Sequence, residues 1–155
     1  MWQGGSVQWH SNGPSQHTST SDLAGLWDTG TLASGMTSTI PVMFQAAGIY
    51  AYHCHIHPFM HGQVRVPIRV SAKTGSTSTI FRITLASASQ AGYSFDVQKK
   101  VQPSGLWKFW KTGVTSLSVR FHHATARSWR FRSRLHKIGS TAASGWSPTK
   151  MITIS

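Results

Sequence analysis

The sequence predicts an all-β protein built from two modules. Apolar residues alternate with polar ones instead of recurring every three or four positions, which is the period of half-buried strands. Gly, Pro, Asn, Asp and Ser recur at short intervals between those runs, as turns do in antiparallel sheets. Charge is divided unevenly along the chain. Residues 1–70 hold Arg65 and Arg69 against Asp22 and Asp28, whereas residues 71–155 hold thirteen basic residues against Asp96 alone. A step from neutral to a formal +12 marks two surfaces of different character.

The expected strands follow in order. Val7-Gln8-Trp9 is a short strand that runs into a turn-rich loop, Ser11 to Thr18. Ile40, Val42 and Phe44 alternate, and Ile49-Tyr50-Ala51-Tyr52-His53 is an aromatic strand after Gly48. Val64, Val66, Ile68 and Val70 alternate with Gln63, Arg65, Pro67 and Arg69. Pro67 has no N–H to give a ladder, so an edge or a bulge is expected there. Residues 71–78 are small and polar and read as a linker. Beyond it, Tyr93, Phe95 and Val97 alternate, as do Leu117, Val119 and Phe121. Trp129, Phe131 and Leu135, with Ser133, are expected to face inward and Arg130, Arg132 and Arg134 outward. Met151 to Ile154 is the last strand.

Composition narrows the function. Seven Trp, seven Phe and three Tyr, with only 12% charged residues, supply a core. No apolar run approaches the length of about 18 residues that spans a bilayer. No basic-then-apolar leader follows Met1, so no signal peptide is expected in this chain. A single cysteine excludes an internal disulfide and a multi-cysteine zinc site. There is no Glu, and the three Asp are scattered, which argues against paired-carboxylate acid–base chemistry. No Gly-x-Ser-x-Gly elbow and no Gly-rich phosphate loop occur. The expectation is a protein with no catalytic residues. The basic half is drawn to anionic surfaces, whether nucleic acid, acidic polysaccharide or phospholipid.

The most informative segment is Tyr52-His53-Cys54-His55-Ile56-His57-Pro58-Phe59-Met60-His61-Gly62. A thiolate, an imidazole and a thioether at Cys54, His57 and Met60 are soft and borderline donors that favour copper. A trigonal copper site with a weak axial Met needs a second imidazole. His17, in the loop after the first strand, is the leading candidate. His10, His53, His55 and His61 are expected to face solvent or to support the ligands from behind.

These residues carry a family resemblance. Val7-x-Trp9-x-Ser11-Asn12, His17-Thr18, Trp27-Asp28-Thr29-Gly30-x-Leu32, Gly48-x-Tyr50-x-Tyr52-x-Cys54-x-x-His57-Pro58-x-Met60-x-Gly62 and Val64-x-Val66 resemble a cupredoxin of the plastocyanin/amicyanin type. The resemblance covers residues 1–70 and implies a Greek-key β-sandwich. It also implies one type 1 (blue) copper held by His17, Cys54, His57 and Met60, and electron transfer as the function. Such domains usually place two strands before the position of Val7, where this chain has six residues, so an open sheet edge is expected there. The resemblance further implies a redox partner protein docking near His57, Pro58 and Phe59. His53-Cys54-His55 also invites comparison with multicopper oxidases, but the further His-x-His pairs which those need are absent outside residues 53–57.

Residues 79–155 resemble a fibronectin type III domain, an Ig-like β-sandwich. The resemblance rests on Tyr93-x-Phe95-x-Val97, Trp107-x-x-Trp110, Ser128-Trp129-Arg130-Phe131-Arg132-x-Arg134 and Gly145-Trp146-Ser147-Pro148. Trp107, Trp110, Trp129 and Trp146 are expected to interleave with Arg130, Arg132 and Arg134 through cation–π contacts. That face is the candidate contact for an anionic polymer or a cell surface. No nucleic-acid-binding motif accompanies the charge. Together the two resemblances imply a secreted, periplasmic or cell-surface electron carrier. The alternatives are an extracellular structural or adhesion protein with a vestigial copper site, and copper sequestration without redox cycling.

Overall fold

The computed structural model describes residues 1–155 as thirteen strands with no helix, so no helix crosses a membrane. In chain order they are β1 (Gly5–Val7), β2 (Thr20–Ser21), β3 (Val42–Phe44), β4 (Gly48–His53), β5 (His61–Val66), β6 (Arg69–Val70), β7 (Thr74–Gly75), β8 (Phe81–Thr84), β9 (Tyr93–Val101), β10 (Lys108–Val114), β11 (Ser118–Phe121), β12 (Ser128–Lys137) and β13 (Lys150–Ile154). They form four sheets: β1-β3, β2-β4-β5, β11-β8-β6 and β10-β9-β12-β13-β7.

The first half is built from the two small sheets. β1 pairs with β3 and with no other strand, so its far edge is open. Ile40, expected to share a strand with Val42 and Phe44, lies outside β3 and is 76% exposed. Pro41 stands between them and cannot donate to a ladder, which delays the strand to Val42. Under the sheets Trp9 stacks on Trp27 at 5.5 Å, and Trp27 meets Phe44 edge-on at 5.3 Å. Trp27 is anchored by its Nε1–H, which donates to Ser19 Oγ at 3.1 Å.

Pro67 does more than mark a bulge. β5 ends at Val66 in one sheet, paired to β4, and β6 starts at Arg69 in another, paired to β8. The proline supplies the break at which the chain changes sheet, and Val66 and Ile68 on either side of it are fully buried. Residues 71–78, expected as a linker, contain β7, which runs parallel to β13 with Thr153 opposite Thr74. Ser71 N–H donates to Arg82 O and Thr153 N–H to Lys73 O. The segment is therefore strapped to the second half by main-chain bonds. The small side chains that read as flexible are also those that let an edge strand lie close.

The second half is a sandwich of the five-stranded sheet and β11-β8-β6. β12 is its spine. It pairs with β9 from Trp129↔Val101 to Lys137↔Tyr93, and with β13 on its other side. Phe131, Ser133 and Leu135 are fully buried while the arginines between them are half-buried, as alternation predicts. The halves meet in backbone bonds: Ile49 and Gly145 exchange two N–H···O bonds of 2.9 and 2.8 Å, and Ala47 N–H donates to Leu85 O at 2.8 Å. Nineteen buried apolar residues, from Leu23 to Ile154, form one continuous cluster across both halves.

Gly62 shows how tightly the first half is drawn in. It faces Tyr52 across the β4–β5 ladder, and a Cβ at Gly62 would overlap the Tyr52 ring. Gly62→Ala is expected to cost about 1–3 kcal/mol, since the ring must leave its packing against Trp9 and Trp27. Chemical denaturation checks this, and an unchanged midpoint contradicts it.

Candidate metal centre

The loop between β4 and β5 is residues 54–60, and its ends are held together by the ladder, with His53 opposite His61. It closes on itself: Cys54 N–H donates to Met60 O at 3.0 Å, and Met60 N–H to His57 O at 2.9 Å. The tight closure turns Cys54 inward, 4% exposed, and leaves Ile56, Pro58, Phe59 and Met60 outward.

His17 arrives from a distant stretch. It exchanges two backbone bonds with Leu32, of 3.0 and 2.7 Å. The next residue ties that stretch to the loop: Thr18 N–H donates to Cys54 Sγ at 3.3 Å, and Thr18 Oγ1 accepts from His55 N–H at 2.8 Å. As a result Cys54 Sγ lies 3.9 Å from His17 Nδ1 and 3.7 Å from His57 Nδ1. The three donor atoms lie within 4.8 Å of one another. A first-row ion bonded to sulfur at about 2.3 Å and to nitrogen at about 2.0 Å, with bonds opened to about 120°, holds sulfur and nitrogen about 3.7 Å apart. The two sulfur–nitrogen distances have that size, and the cluster can hold a metal ion.

Met60 lines the same cavity, about 420 Å³ in volume, together with His17, Cys54, Trp9, Leu32 and Tyr52. Its side chain is 42% exposed. Of the other histidines, His10 bonds Thr37 Oγ1 through Nδ1 at 2.8 Å. His53 meets Asp22 Oδ1 at 2.6 Å, and His55 lies 4.0 Å from Asp28 Oδ2. His53 is thus held by a carboxylate, and His55 Nδ1 meets Thr20 Oγ1 at 3.3 Å, so neither joins the cluster of donors. Thr18 stands in the His17-Thr18 motif, but the sequence assigns it no role at the site. Its signal was its place directly after His17, where the backbone that carries one ligand can donate to another.

Burial pushes the Cys54 thiol up, but the Thr18 N–H, the two imidazoles and the His57 backbone outweigh it and lower the thiol from its ordinary 9.0 to about 5. Such donors favour the charged form. The sulfur is thus prepared as a thiolate, the form that binds metals. Because the folded pKa lies below the unfolded one, this group stabilises the fold most above about pH 9, and the contribution is lost as pH falls toward about 5. In chelator-treated protein, thiolate ultraviolet absorbance is expected to titrate near pH 5, and near pH 9 after unfolding. A folded-state midpoint near 9 contradicts it.

No family model matches the chain, and no curated protein matches it in sequence. Fold and site together define an all-β protein with a thiolate–imidazole cluster able to hold a metal ion.

Proposed function

We propose that this protein is a cupredoxin-like electron carrier with one type 1 copper at His17, Cys54, His57 and Met60, joined to a fibronectin type III-like sandwich. The observation that carries the reading is the approach of His17 Nδ1 and His57 Nδ1 to one buried thiolate from segments 37 and 3 residues away. A copper ion held there supplies reversible one-electron transfer. Zinc accepts the same donors, but a neighbouring thioether suits copper.

The chain's own contribution is rigidity. Thr18 holds the sulfur through its N–H and the loop through its hydroxyl, while the Cys54–Met60 bond closes the ring of ligands. Ligands tied to two paired strands and a bridged loop resist rearrangement, which lowers the reorganisation that opposes electron transfer. The exposed run Ile56, Pro58, Phe59 and Met60 surrounds the half-buried His57, and the Phe59 ring meets that imidazole at 5.9 Å. This apolar patch is the proposed docking site for the redox partner, which would form a small and transient interface. In the second half, the β11-β8-β6 and β10-β9-β12-β13-β7 sheets support the fibronectin-like reading. A location outside the cytoplasm rests on the two resemblances.

The test is titration of the protein with Cu(II). The expected result is one equivalent bound, an intense blue sulfur-to-copper charge-transfer band and a reversible one-electron wave in voltammetry. A colourless protein overturns the reading. The exposure of Met60 favours a second reading, in which the site takes up and releases Cu(I) without cycling. Cu(I) binding with no reversible wave selects it.

A further inference from the structure

The turn between β9 and β10 carries the most exposed aliphatic side chain of the protein, Leu106 at 80%. Behind it lies an open cavity of about 370 Å³, walled by Lys99, Lys100 and Lys108 with Val101, Leu106 and Trp129. The ladder sets Lys108 opposite Lys99 and Arg130 opposite Lys100. None of these lysines has a carboxylate partner, because the four ion pairs of the protein use His53, His55, Arg134 and His136. Aromatic faces position them instead. Lys100 Nζ lies 5.3 Å from the Trp107 ring, and Lys99 Nζ lies 4.9–5.3 Å from Trp110, Phe121 and Trp129. Such contacts hold a cation in place without neutralising it.

Of the three arginines expected to meet an anion, Arg132 and Arg134 are engaged elsewhere, and Arg130 stands beside the lysines. Both Nε and Nη2 of Arg132 donate to Gln98 Oε1, while its guanidinium lies between Trp107 at 4.2 Å and Trp146 at 5.0 Å. Arg134 pairs with Asp96 and stacks on Trp146 at 4.7 Å. Trp110 and Trp129, expected to interleave with these arginines, sit around Lys99 on the inner face. Lys99, Lys100, Lys108 and Arg130, none with a carboxylate partner, are gathered at the β9–β10 end.

A single exposed leucine needs no explanation. One in a turn between strands, backed by unpaired lysines, matches a surface with anions outside and hydrocarbon beneath. A polysaccharide or a nucleic acid would meet the lysines and leave Leu106 in water. We propose that the β9–β10 turn docks on an anionic phospholipid membrane, with Lys100 and Lys108 at the headgroup phosphates and Leu106 entering the interface. This inference is independent of the metal reading.

Co-sedimentation of the full chain with vesicles of phosphatidylcholine plus phosphatidylserine, against phosphatidylcholine alone, tests it. Binding to the anionic vesicles only is expected, weakening as salt rises. Leu106→Ser is expected to cut partitioning about tenfold, and Lys100→Ala with Lys108→Ala about 25-fold. Heparin retention should respond to the lysine pair and not to Leu106→Ser. A control pair removes the same charge from the other sheet and from the far end of β12, as Arg82→Ala with Lys137→Ala, and is expected to cost less than about threefold. All altered side chains are exposed or half-buried, and thermal unfolding confirms that each variant folds. The proposal is overturned if Leu106→Ser binds vesicles like the parent, or if the control pair loses as much as the lysine pair. It is equally overturned if heparin or duplex DNA is bound and vesicles are not.

Discussion

Replacing Cys54 with Ser is expected to abolish the blue band and to weaken copper binding by several hundred-fold. The thiolate is the shared partner of both imidazoles, at 3.9 and 3.7 Å, and the acceptor of the Thr18 N–H. A hydroxyl in its place is not ionised at neutral pH and is a hard donor. Apparent binding free energies of about 10–16 kcal/mol, as for structural zinc sites, shared among four ligands give about 2.5–4 kcal/mol for each. Met60→Ala is expected to act less, because a thioether would hold the ion more weakly than a thiolate, and to shift the band rather than remove it. Metal titration followed by absorbance separates the two variants. A Cys54→Ser protein that keeps both colour and affinity contradicts the assignment of the sulfur.

Phe131→Ala is expected to destabilise the fold by about 3–5 kcal/mol and to lower Tm by roughly 10 °C. Phe131 is fully buried on the β12 spine, and its ring meets Phe121 at 4.7 Å and Trp110 at 5.7 Å. No flexible neighbour can fill the space, because Phe121 is itself locked between Trp110 and Trp129. Met151→Ala on the outer face, where Met151 is 45% exposed, is expected to cost less than about 0.5 kcal/mol. Since the buried apolar cluster runs through both halves, Phe131→Ala should lower a single transition. Calorimetry that resolves two transitions, with only one shifted, contradicts the shared core.

The strands were legible wherever side chains alternate strongly. Phe95 and Val97 in β9, and Phe131 and Leu135 in β12, lie buried as their spacing predicts. Ile40 was misplaced because alternation is blind to the N–H that Pro41 lacks. The turn of the chain from one sheet to the next at Pro67 was readable only as a disturbance, since a missing donor says where pairing stops and not what pairs afterward.

The site divides in the same way. Cys54 and His57 are legible together because one short loop carries a thiol and an imidazole at close spacing, and Met60 of the same loop lines the cavity. His17 was a candidate by residue type, and its approach to the sulfur depends on the Leu32 bridge and the Thr18 bonds. The net charge was likewise plain from composition. Which cations are free was not, because that depends on Gln98 and Asp96 standing opposite Arg132 and Arg134 across β9 and β12. Residue chemistry and short-range periodicity are written along the chain. Partners dozens of residues apart are chosen only when sheets stack, since the free energy of such contacts exists only in the folded arrangement.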